Sequence, residues 1–119
     1  EENFDDLTEE RIEKYRNAPF RAPLIVALVS TKKDHPKVPE MEQIISTGTA
    51  GQNIMLALSA LGYGAIWRTG SFAFNNKISE KFGLNENQTI IGYIYIGTPM
   101  GKKKSLPEMN TNDYISIWD

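Results

Sequence analysis

Gly62-Tyr63-Gly64-Ala65-Ile66-Trp67-Arg68-Thr69-Gly70 follows directly on an apolar run from Gln52 to Leu61. Together they read as a helix, a glycine stop and a short strand. Gly62 is placed as a left-handed cap, because only a residue without Cβ takes that conformation freely. The strand then delivers an aromatic, a cation and a hydroxyl in succession at Trp67, Arg68 and Thr69. Such a trio could edge a pocket for a flat, charged cofactor. A plain helix–strand corner, with a core Trp and a surface Arg, would give the same pattern.

Upstream, the helix is expected to run from about Pro39 to Leu61. Pro39 suits the first turn, with Glu40 and Glu42 beside it. Met41, Ile44 and Ile45 form one apolar face, and residues 54–61 are apolar almost all round, the signature of a buried central helix. Between them lies a small-residue patch, Gly48-Thr49-Ala50-Gly51. Mid-helix glycines cost about 1 kcal/mol each relative to Ala, so close packing is expected there. Leu24 to Val29 is a continuous aliphatic run, read as a strand buried on both faces. Before it, Thr8 caps a short helix whose end is marked by Pro19 and Pro23.

Downstream, Asn75 or Asn76 caps a short helix that Gly83 closes, with Ile78 and Phe82 one turn apart. Thr89 to Gly97 is the strongest strand in the chain. Lys102, Lys103 and Lys104 follow it. The tail from Leu106 is weakly patterned, and its Tyr114, Ile115, Ile117 and Trp118 are expected to dock. Three strands alternating with helices make a layered α/β or α+β domain.

The chain has 119 residues, enough for one small domain, with a formal net charge of −2 and no basic stripe. Nucleic-acid binding is therefore disfavoured. With no Cys and a single His, thiolate metal sites are excluded and a His-rich metal centre is not expected. His35 lies in the polar loop Lys32-Lys33-Asp34-His35-Pro36-Lys37, so a Ser-His-Asp triad is not expected either. No run reaches the ~18 apolar residues of a membrane span, and no signal peptide is visible, which points to a cytoplasmic protein. There is no P-loop, and the glycines near Gly62 follow a helix rather than open one. With no conventional catalytic set, a cofactor that brings its own chemistry fits best.

Four stretches in order resemble the flavin-dependent nitroreductase family, in its compact bacterial NAD(P)H nitroreductase type. They are Arg16-Asn17-Ala18-Pro19-Phe20-Arg21-Ala22-Pro23-Leu24-Ile25-Val26; Val38-Pro39 with Glu42, Gln43, Ser46, Gly48 and Ala50; the Gly62–Gly70 stretch; and Ile91-Gly92-Tyr93-Ile94-Tyr95-Ile96-Gly97-Thr98-Pro99. The resemblance implies an α+β three-layer sandwich, a mostly antiparallel sheet with helices packed on it. It implies FMN, a NADH or NADPH donor, a nitroaromatic or quinone-like acceptor, and a homodimer. By motif, Trp67, Arg68 and Thr69 would contact FMN, and Lys102 or Lys103 would meet its phosphate. Ala57, Leu58, Ser59, Ala60, Leu61 and Gly62 would match the nicotinamide nucleotide segment.

The family's N-terminal phosphate-gripping segment is not matched. Residues 1–119 are thus expected to be a single, partial domain of this kind. The alternative is a truncated flavodomain without catalysis, acting as a binding or interaction module. Another reaction on the same scaffold, such as reductive dehalogenation, would need a lid, and no long insertion is visible.

Overall fold

The computed structural model describes residues 7–101 and 105–118. Its elements are α1 (Glu9–Asn17), a 3-10 turn (Ala18–Arg21), β1 (Leu24–Thr31), α2 (Glu40–Ala60), β2 (Gly64–Arg68), α3 (Asn76–Lys81), β3 (Gln88–Gly97) and a second 3-10 turn (Thr111–Tyr114). The strand that comes last in the sequence is central. Strand order is β1-β3-β2, and both pairings are antiparallel.

Strand alternation sorts the side chains onto two faces. The pairings Val26↔Ile94 and Trp67↔Ile94 place these three on one face, with Leu28 opposite Gly92. This face meets α2, and Leu28, Ile94 and Ile96 form the core, flanked by Met55 and Leu58 of the helix. Ile25↔Tyr95↔Ile66 and Ala27↔Tyr93↔Arg68 make two rows across the opposite face. The register slips between Leu28 and Val29, so that Ile91 of β3 is passed over in the pairing.

The helix ends follow the sequence closely. Thr8 Oγ1 accepts from the Arg11 amide at 3.4 Å, and Asn75 Oδ1 accepts from the Lys77 amide at 2.9 Å. Gly62 has φ +84°. Its amide donates to the Ser59 carbonyl at 3.1 Å, and the Tyr63 amide to the Leu58 carbonyl at 2.9 Å. That is a Schellman motif. Gly83 and Leu84 repeat it on α3, donating to Glu80 and Ser79. Pro39 sits one place earlier than expected, as the N-cap, with ψ 158°.

A Cβ at Gly62 would touch nothing within 4 Å, so a substitution there acts through the backbone alone. Gly62→Val is expected to cost about 1–2 kcal/mol, the penalty of a left-handed L-residue. Thermal unfolding reads this out, and an unchanged midpoint would refute the cap.

Four expectations are corrected. α2 is not buried all round: Gly51 is its one buried residue, and Leu56 is 57% exposed. Only one side of the helix meets the sheet, so its apolar outer side stays open. The small-residue patch divides. A Cβ on Gly51 would lie 2.5 Å from both Leu28 and Trp67, whereas one on Gly48 would meet nothing. β1 is not covered on both faces: Leu24 and Ala27 are exposed, and Ala27 lines the pocket on the face away from α2. The tail does not dock: Tyr114, Ile115, Ile117 and Trp118 are all exposed, Trp118 at 91%.

Candidate functional site

The face of the sheet away from α2 carries a pocket of about 450 Å³. Ile25, Ala27, Tyr93 and Tyr95 come to it from the strands, Lys14 and Tyr15 from α1, Ala18, Pro19 and Arg21 from the 3-10 turn. Ile78 of α3, with Phe82 at its end, and Phe72 of the β2–α3 segment complete the walls, and Arg68 and Thr69 stand at the end of β2. Among the described residues, three cations and no carboxylate line it.

Local bonds fix its aromatic walls. Tyr93 donates its hydroxyl to the Phe72 carbonyl at 3.1 Å. Burial pushes the Tyr93 phenol above its usual range, helped by the neighbouring Tyr95, so this O–H stays a donor. Tyr15 and Phe72 meet edge to face, with ring centroids 5.0 Å apart. The Tyr15 hydroxyl and Ser71 Oγ share a hydrogen bond of 3.3 Å. These contacts tie α1, the β2–α3 segment and β3 into one frame.

The trio Trp67-Arg68-Thr69 is split by the pleat. Arg68 and Thr69 reach the pocket, but the Trp67 indole lies on the other face of the sheet, between Gly51 and Gly92. Neighbouring strand residues point to opposite faces, so adjacent positions in the sequence do not share a site. Ala57, Leu58, Ser59, Ala60, Leu61 and Gly62 form the last turn and cap of α2 and are absent from the pocket lining. Lys102 and Lys103 lie outside the described residues. His35 is exposed, and its Nδ1 accepts from the Lys37 amide at 3.2 Å. Among the described residues no group of three His, Asp or Glu could hold a metal ion.

Sequence reasoning missed Lys14, Arg21, Phe72, Tyr93 and Tyr95 as site residues. The tyrosines carried a signal: in Ile90-Ile91-Gly92-Tyr93-Ile94-Tyr95-Ile96, the period of two puts them opposite the buried isoleucines. Lys14 and Arg21 carried none, since their place depends on how α1 folds over the sheet.

An antiparallel sheet with α2 on one face, and α1 and α3 framing a pocket on the other, defines an α+β three-layer sandwich of the nitroreductase-like class. A nitroreductase-like family protein from Bacillus cereus superposes with a TM-score of 0.71 at 21% identity, covering 93% of this chain and 61% of that one. The FMN and NADPH-dependent nitroreductase NfnB from a Sphigopyxis strain superposes with a TM-score of 0.68 at 18% identity, covering 96% and 52%. Residues 2–98 match the Nitroreductase family, and the chain belongs to it. YdjA of Escherichia coli K12, whose name assigns it provisionally to the NAD(P)H nitroreductases, is 44% identical over 91 residues, 76% of this chain and 50% of YdjA. The match thus spans half the length of that relative.

Proposed function

We propose that this protein is an NAD(P)H-dependent oxidoreductase that uses FMN and delivers electrons to small acceptors such as nitroaromatics or quinones. The observation that carries this reading is the pocket, an aromatic cleft with Arg68 and Thr69 at one wall and no acid among the described residues of its lining. Family membership and the names of the relatives support it.

The donor set fits a flavin. Tyr93, Tyr95 and Phe82 offer apolar contact to a flat ring and exclude water from it. The Arg68 guanidinium offers several N–H donors to the ring's carbonyl and nitrogen edge, and the Thr69 hydroxyl adds one more. A bound flavin would supply the redox chemistry, accepting a hydride from the reduced nicotinamide and passing electrons to the acceptor. No side chain then needs to act as general acid or base.

Arg68→Ala should weaken FMN binding by roughly 1.5–3 kcal/mol, about ten- to a hundredfold, the worth of hydrogen bonds from a charged donor. Thermal stability should barely change, because Arg68 is exposed. Undiminished FMN affinity in the folded variant would remove Arg68 from the site.

The reading as a whole is tested by the visible absorption spectrum after adding FMN and removing the excess. A retained flavin band, bleached by NADH or NADPH, supports the oxidoreductase. A folded chain that retains no flavin favours the binding-module reading instead. The open apolar side of α2, with Met41, Ile45 and Leu56 exposed, supports a homodimer. No helix of the described residues is long and apolar enough to cross a membrane.

A further inference from the structure

We propose that Tyr93 is a positioning residue: its hydroxyl pins the Gly70–Ala73 turn and so presets Thr69, the residue that leads into the turn, for a ligand in the pocket. This rests on the flavin reading above, with Thr69 as one of its donors.

The ladder between β2 and β3 ends at the pair Arg68↔Tyr93. Arg68 is therefore held by the sheet, whereas Thr69 is the first residue past the strand. Gly70 follows with φ +100°, and a Cβ on it would meet nothing within 4 Å. A glycine with open space around it is a swivel rather than a packed joint. Sheet pairing alone thus leaves the direction of Thr69 undetermined.

The turn supplies what the sheet does not. The Ala73 amide donates to the Gly70 carbonyl at 2.9 Å, and Ala73 is buried. Between them, the Phe72 carbonyl accepts the Tyr93 hydroxyl at 3.1 Å, and Ser71 Oγ shares its hydrogen bond with the Tyr15 hydroxyl. The two tyrosines are unequal anchors. Tyr15 belongs to α1, which has no buried residue. Tyr93 belongs to the central strand of the sheet. Its ring lines the pocket, but its single O–H is committed to the frame rather than offered to a ligand. A turn fixed in this way meets the ordering cost of Thr69 before any ligand arrives.

The test is a titration of Tyr93→Phe with FMN, followed by the quenching of flavin fluorescence. The variant keeps the ring and loses only the hydroxyl, and circular dichroism checks that it folds. FMN should bind about three- to tenfold more weakly, the worth of one neutral hydrogen bond. Thr69→Val should cause a loss of similar size, and adding Tyr93→Phe to it should weaken binding by less than about twofold, because both act through the same contact. Ile90→Val serves as the control for general loosening. Ile90 is buried and is not among the residues lining the pocket, so this variant should lose thermal stability and keep its FMN affinity. Without ligand, the Ala73 amide of Tyr93→Phe should exchange its hydrogen about three- to tenfold faster than in the wild type. An unchanged exchange rate overturns the pin. Wild-type FMN affinity in folded Tyr93→Phe overturns the positioning role and leaves the flavin reading standing. So does strict additivity with Thr69→Val, or an equal loss of affinity in Ile90→Val. A wild type that binds no FMN overturns the flavin reading, and this role of Tyr93 with it.

Discussion

Ile94→Ala is expected to destabilise the fold by about 2–5 kcal/mol, the range for deleting a fully buried aliphatic side chain. Ile94 is 0% exposed. It stands mid-strand in β3, paired with Val26 on one side and Trp67 on the other. Its neighbours come from all three strands and from α2, so the cavity cannot close by moving one element. Small domains have only about 5–15 kcal/mol in hand, and a loss of this size moves the urea midpoint far down. Ile117→Ala, at a site 87% exposed, should change stability by no more than about 0.5 kcal/mol. Equal effects from the two substitutions would place the core elsewhere.

The second large effect is expected at Gly92. A Cβ there would overlap the Trp67 indole, with Cε2 at 2.7 Å and Cδ1 at 3.1 Å. Gly92→Ala should therefore cost about 1–3 kcal/mol by overpacking. The indole cannot retreat, because Gly51 of α2 closes the slot from the other side. In Trp67→Leu the crowding is relieved, so adding Gly92→Ala to it should cost much less than it does alone. A double-mutant cycle should show coupling of roughly 0.5–3 kcal/mol. Strict additivity would mean that the two residues do not meet.

The slot also explains which parts of the molecule the sequence disclosed. Features set by neighbours in the chain were legible. The Gly62 cap, a cap at one of Asn75 and Asn76, and the strand over Thr89–Gly97 each follow from local rules; the structure has Gly62 in the left-handed conformation, chooses Asn75 and begins the strand one residue earlier, at Gln88. Features set by distant segments were not. The sequence shows Trp67 next to Arg68, but which face of the sheet each one takes is fixed by α2 packing on the Leu28–Ile94 side. The pocket draws Lys14 and Arg21 from one part of the chain, Phe72 from another and Tyr93 from a third. No spacing within one segment could announce that. The apolar girth of α2 predicted burial, yet a helix resting on one sheet face has only one side to bury. The docked tail was inferred from its hydrophobic residues alone, and composition does not say what a residue will touch.

The position of β3 bears on how the protein comes into being during synthesis. Among the described residues β1 and β2 pair only with β3, never with each other, and β3 is made after both. Until Gln88–Gly97 has left the ribosome, neither earlier strand has its partner. The nascent chain therefore carries α2 and two unpaired strands, with the apolar faces that β3 will cover still exposed to solvent. Such a chain pays its loop-closure entropy late and in one step, and it is most prone to clump just before that step. Its yield in the cell should depend more on holding chaperones and on translation speed than the stability of the finished fold would suggest.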